Sequence, residues 1–175
     1  MKYLSIISLS VLITVAGCTR LEPKLYSDLT TANAYSTESD INAALVGVYA
    51  DLNPYPGDAW MYYAGYLVMT TDYSTDMGFS TAAGDPTKMS NFTYDDNNRY
   101  IRYNWQYMYN VISNVNLLLS KIEGVQMDET KKKRIIGQAR FLRALAYRDI
   151  TDAWGPAPLY TKVVAPEETV NAALA

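Results

Sequence analysis

The sequence predicts an all-α fold of stacked antiparallel helical hairpins with a long irregular loop between them. Apolar residues recur at three- and four-residue steps in several separate stretches, the period of a helix with one buried face. Gly, Pro and short polar residues punctuate the ends of those stretches. The run from Asp72 to Asn98 has no such period and holds Gly78, Gly84 and Pro86 among Ser, Thr, Asn and Asp.

The first element is a leader rather than a core element. Lys2 gives a positive start, and Leu4 to Val15 is apolar apart from small hydroxyl residues. The stretch is shorter than the about 20 residues a comfortable transmembrane helix needs. Its layout is that of a secretory signal over residues 1–17. Cys18, the only cysteine of the chain, follows Val15-Ala16-Gly17 directly, so the junction resembles a bacterial lipobox. The expectation is a thiol lipidated at Cys18 that becomes the first mature residue and tethers the chain to a membrane. An ordinary signal peptide with a chance cysteine, or a buried core thiol, are the plainer readings.

Residues 18–35 carry Pro23 and no helical period, and are read as an extended tether; a helical domain is expected over 36–175. Thr37 with Asp40 three residues on has the form of a helix N-cap, and Ile41, Ala44, Leu45, Val48 and Leu52 give a helix over about 38–52. Pro54, Pro56 and Gly57 end it. Trp60 to Thr71 is expected to be its antiparallel partner. Ile101, Trp105, Met108, Ile112, Val115, Leu119 and Ile122 trace the next stripe, with Gly124 where a C-terminal cap belongs. Asp128 can cap the last helix, whose stripe runs Ile135, Ala139, Leu142, Ala146, Ile150 and Ala153 before Gly155-Pro156. The short link between these two helices makes an antiparallel hairpin. Two such pairs suggest tetratricopeptide-like stacking.

Composition narrows the chemistry. Histidine is absent, which excludes Ser-His-Asp and Cys-His catalysis and the usual zinc sites. Without a second cysteine the fold rests on packing and not on disulfides. The formal charge is −3, and the basic run Lys131 to Arg134 lies in the first turns of a helix. It reads as a solvated face, and no nucleic-acid binding is expected. Nothing points to a cofactor or a metal. Sixteen tyrosines, clustered between Tyr49 and Tyr109, fit either polar seams in a helical core or a surface that stacks on ligands.

Gly137 to Leu159 reads GQARFLRALAYRDITDAWGPAPL. It resembles a hallmark of the SusD/RagB family of outer-membrane nutrient-binding lipoproteins at Gly137, Ala139, Phe141, Leu142, Arg143, Ala144, Tyr147, Gly155, Pro158 and Leu159. Trp105, Tyr109, Ile112, Asn116 and Leu118 to Ile122 in the preceding helix, and Ala43 to Leu52, are similar to that family too. In physical terms the hallmark is structural: Phe141, Leu142, Leu145 and Tyr147 fit a buried helix face, and Arg140 and Arg143 fit internal ion pairs or carbonyls better than a ligand. Family members are much longer, so the resemblance implies that these residues are the amino-terminal portion of such a fold.

The resemblance also implies a function. The chain would be a non-enzymatic lipoprotein exposed at the cell surface of a bacterial outer membrane. It would capture glycan or peptide for a SusC-like TonB-dependent transporter. The loop of residues 72–98 supplies side chains of the right kind: Asp72, Tyr73, Phe79, Asn91, Tyr94, Asp96 and Asn97. Asp72 matches an acidic residue that the family places after its second helix. These aromatics could equally pin the loop to the helices. Two other functions stay open. One is a lipid-anchored scaffold that binds protein only. The other is a glycoside hydrolase using Asp72/Asp76 or Asp95/Asp96, although adjacent carboxylates suit poorly a reaction that needs them about 5–10 Å apart across one bond.

Overall fold

The computed structural model describes residues 34–52, 63, 65 and 67–165. The leader, Cys18, nearly all of the tether and the Pro54-Pro56-Gly57 stop lie outside the described residues. Among those described there are five α-helices: α1 Glu38–Ala50, α2 Leu67–Asp72, α3 Asp85–Ser90, α4 Arg99–Ile122 and α5 Glu129–Trp154. The fold is all-α.

Helix α1 starts on a capping box. Thr37 Oγ1 accepts from the Asp40 amide at 3.2 Å, and Asp40 Oδ2 accepts from the Thr37 amide at 2.8 Å. Two of the orphan amides of the first turn are satisfied in this way. The Thr37 side-chain bond, first, and its backbone bond hold the Asp40 carboxyl below its ordinary range. Ile41, Leu45 and Val48 turn inward.

Helices α4 and α5 form the expected long hairpin. At about 1.5 Å per residue, the 24 residues of α4 span about 36 Å. Met108, Val111, Ile112, Val115, Leu118 and Ile122 bury against Ile135, Ala139, Leu142, Ala146 and Ile150, and α1 packs on both helices. The buried arc of α4 is wider than a single stripe, because α4 meets α1, α2 and α5 at once. Val111, Leu118 and Asn104 are therefore inside, while Ile101, Trp105 and Leu119 of the predicted stripe are half-buried margins.

The hairpin turn differs from expectation. Gly124 is not left-handed; Glu123 is right-handed, and the chain leaves on two tight bonds, Gly124 N to Lys121 O and Val125 N to Ile122 O, both 3.1 Å. This turn carries the Val125 side chain into the core. Asp128 caps α5 as expected, accepting from the Lys131 amide at 2.9 Å. Helix α5 stops at Gly155, whose φ of 77° and ψ of −145° lie in a region open almost only to glycine.

The segment before α4 is more ordered than its composition suggests. Of the expected Trp60–Thr71 helix, the described part is Tyr63 and Gly65, in π-helical conformation, and the α-helix Leu67–Asp72 that runs one residue past it; that α-helix packs on α4 and α3. Within residues 72–98 the short α3 forms. Its Pro86 sits in the first turn, where the missing N–H is no loss, and its Met89 buries with Tyr100 in a second small cluster flanked by Tyr73. Ser80 N donates to Ser90 Oγ at 3.0 Å, and Thr87 Oγ1 donates to the carbonyls of Ser80 and Ala82. Asn98 caps α4 and also donates to the Asp85 carbonyl at 3.2 Å. Gly78 folds so close to α2 that a Cβ there would stand 2.5 Å from the Asp72 carbonyl oxygen. The loop is braced by its own polar residues.

Candidate functional site

The end of α2, the loop, the start of α4 and the last turn of α5 converge on a cleft of about 300 Å³, at the small end of ligand pockets. Thr70, Thr71 and Ser74 bring hydroxyls, Asp152 a carboxylate, and Tyr94 and Trp154 aromatic rings; Met89, Ile101 and Ala153 complete the wall. Trp154 is held by an edge-on contact with Trp105, the ring centres 5.5 Å apart at 74°. Thr70 Oγ1 accepts from Asn104 Nδ2 at 2.7 Å, and Arg148 stands 3.8 Å from the Asp152 carboxylate. Ala153, predicted on the core stripe of α5, faces this cleft and is exposed. Flat aromatic surface beside hydroxyl and carboxylate groups is the chemistry that takes a polar ring: stacking on one side and hydrogen bonds at the edge.

Two other concavities are less suited. The groove between α1 and α5 is larger, about 430 Å³, but Lys131 on its wall is already paired with Glu38 at 2.6 Å. The third, about 210 Å³, is lined by Asn116, which is committed to holding the chain after α5.

Of the residues predicted for a site, Tyr94 is the one the structure places on the cleft wall. Asp72 ends α2, exposed, and its carboxylate accepts from Thr71 Oγ1 at 3.1 Å. Tyr73 packs on the Met89–Tyr100 cluster. Asn91 is the C-cap of α3. Asp96 and Asn97 bond to each other at 3.2 Å on the exposed turn before α4, and Phe79 is 68% exposed. Trp154 and Asp152 were not foreseen. Trp154 stands directly before Gly155-Pro156, where an aromatic reads as part of a helix stop, and only the hairpin brings it beside Tyr94.

The hallmark residues serve a clamp. Arg143 donates from one Nη to Asn116 Oδ1 at 2.6 Å and to the Thr161 carbonyl at 2.8 Å. Asn116 Nδ2 donates to the carbonyls of Tyr160 and Lys162, both 3.0 Å. Tyr109 donates to the Pro158 carbonyl at 2.8 Å, and the Tyr147 hydroxyl accepts from the Tyr160 amide. Burial first, then the neighbouring Tyr147 and Tyr160 hydroxyls, pushes the Tyr109 hydroxyl far above its ordinary pKa, so it stays a donor. Arg143 thus reaches a carbonyl, as its sequence context suggested. Phe141, expected on the buried face, is 64% exposed: Leu142, 100° round the helix, takes the inward angle, which turns Phe141 out to solvent.

Two solved structures share this architecture. A laminarin-binding SusD-like protein superposes with a TM-score of 0.64 at 28% identity, covering 81% of this chain and 30% of that one. A SusD-like carbohydrate-binding protein from Bacteroides fragilis gives 0.62 at 26% identity, covering 81% and 28%. In sequence, SusD-like protein P2 of Formosa agariphila is 26% identical over 172 residues, 98% of this chain and 34% of the relative. SusD-like protein P25 of the same organism is 30% identical over 149 residues, 77% of this chain and 26% of the relative. The chain thus spans about a third of the length of the relatives it matches. Residues 21–173 match the SusD-like family described as starch-binding and associating with the outer membrane, and on that match the chain belongs to the SusD-like family.

Proposed function

We propose that this chain binds glycans without cleaving them, in the cleft walled by Tyr94 and Trp154, as a surface lipoprotein that passes its ligand to a SusC-like TonB-dependent transporter. The cleft itself carries the reading, because it sets two aromatic rings beside hydroxyls and one carboxylate. Glycoside hydrolysis ordinarily uses a pair of carboxylates flanking the bond, whereas Asp152 is the single carboxylate among the lining residues. The likeness to laminarin-binding and carbohydrate-binding proteins supports a glycan over a peptide.

Binding is tested by calorimetry with starch-derived and laminarin-derived oligosaccharides and a control panel of peptides. Tyr94→Ala, at an exposed position, is expected to leave helicity intact. Loss of a stacking contact worth about 0.5–1.5 kcal/mol weakens affinity by about two- to tenfold. Trp154→Leu should weaken it as well, with circular dichroism as the folding control. Sugar release from the intact chain, or undiminished affinity in both variants, would overturn the assignment.

Anchoring through Cys18 completes the proposal. Among the described residues no helix is long and apolar enough to cross a membrane, and the Val15-Ala16-Gly17-Cys18 junction offers another means of attachment. Each buried methylene of an acyl chain contributes about 0.8 kcal/mol. Cys18→Ala is expected to lose palmitate labelling and to move the chain from the membrane to the soluble fraction. Membrane association unchanged in that variant would refute lipid attachment at this residue.

A further inference from the structure

The cleft is lopsided in charge. Between Lys24 and Lys88 the sequence holds no lysine or arginine, so the wall built from Thr70, Thr71 and Ser74 supplies no cation. Among the described residues the rest of the lining adds none either, and Asp152 adds a carboxylate. Two further carboxylates follow lining residues directly, Asp72 after Thr71 and Asp95 after Tyr94. Consecutive Cα atoms are about 3.8 Å apart, so both acids lie within about a Debye length, roughly 8 Å, of the wall.

The basic side chains beside this wall are engaged. Asp85 takes up Lys88, which precedes Met89, at 3.9 Å, and Arg99 at 3.6 Å. Arg102, which follows Ile101, lies over the Tyr103 ring, 4.9 Å from its centre. Arg148 comes nearest to the lining, with its Nε 3.8 Å from the Asp152 carboxylate. The same Nε donates to Asp149 Oδ1 at 2.9 Å. Asp149 is buried and also accepts from the Tyr63 hydroxyl at 2.6 Å, which holds the guanidinium from the inner side. One guanidinium between two carboxylates leaves this corner of the cleft net negative.

We infer that the cleft selects by charge: it takes a neutral sugar unit and turns away one bearing an acid group, with Asp152 as the residue that discriminates. The inference rests on the glycan reading given above and adds a substrate class to it. A carboxylate accepts hydrogen bonds and donates none. It therefore gains from a sugar hydroxyl, which can donate, and is repelled by a second carboxylate, which cannot. The Asp152 side chain is 72% exposed, so the repulsion is screened by salt, and each such pair shifts affinity by about two- to fivefold.

The test uses β-1,3-gluco-oligosaccharides and maltooligosaccharides beside their C6-oxidised counterparts, in which each primary hydroxyl has become a carboxylate. Both forms are titrated into the parent chain and into Asp152→Asn. Titrations are run at about 0.01 M and about 1 M salt, where the Debye length falls from about 30 Å to about 3 Å. The parent is expected to prefer the neutral form, and high salt to erode that preference. Asp152→Asn, with circular dichroism as the folding control, should narrow it by about two- to fivefold at low salt. Equal affinity for the two forms overturns charge selection and leaves the glycan reading standing. Tighter binding of the oxidised form overturns it too, and points to Arg148 as a ligand contact. A preference that salt does not erode is steric, which overturns the inference even if Asp152→Asn fails to fold. A preference that a folded Asp152→Asn leaves unchanged overturns the assignment to Asp152. A parent that binds neither form overturns the charge selection and the glycan reading together.

Discussion

Leu142→Ala is expected to destabilise the chain by about 2–5 kcal/mol. The side chain is 1% exposed and sits in the cluster built by α1, α4 and α5, where Leu45, Ile112, Val115 and Ala139 also bury. Truncation removes apolar contact area and leaves a cavity that three helices cannot close without moving together. A loss of that size is a large part of a total domain stability of about 5–15 kcal/mol. Urea unfolding followed by circular dichroism reads it directly, and the slope of the transition shows whether the midpoint shift reflects stability or a changed unfolded state. An unchanged midpoint would mean that the three-helix core is not arranged as described.

Arg143→Met should come next in size. The methionine keeps much of the aliphatic stem, so the change isolates the guanidinium and its bonds to Asn116 Oδ1 and the Thr161 carbonyl. Hydrogen bonds to a charged group contribute about 1.5–3 kcal/mol. The variant also leaves the acceptor oxygen of Asn116 without its donor, in a residue only 3% exposed. Two readouts follow: a fall in unfolding free energy of about 1.5–3 kcal/mol, and faster hydrogen exchange at the Tyr160 amide. Unaltered exchange there would show that Tyr109 and Tyr147 hold the segment without the arginine.

The parts of this fold that could be read from the sequence are those written locally. Thr37 with Asp40, Asp128, and Gly155 before Pro156 each settle a helix end through neighbours a few residues away, and each is where its residue type implied. The α4 and α5 stripes were legible for the same reason, down to Met108, Ile112, Leu142 and Ala146. Helix α3 was not, because a six-residue helix starting on Asp-Pro and rich in small polar residues has the composition of a loop. Phe141 misled because one apolar residue more than a face can bury must point outward, and composition does not say which. The cleft was hidden most deeply. Tyr94 and Trp154 are separated by the whole α4–α5 hairpin, and no periodicity relates them; only the antiparallel return of α5 sets them on one wall.

The clamp around residues 158–162 has a consequence for how such a chain can diverge. Asn116, Arg143, Tyr109 and Tyr147 bond to main-chain carbonyls and an amide of that segment; every residue, proline included, presents the carbonyl, and every residue but proline the amide. The four gripping side chains cannot change without loosening the grip, whereas exposed positions such as Thr161 and Lys162 can change identity with the grip intact. The grip therefore constrains the side chains that hold more tightly than those of the segment that is held.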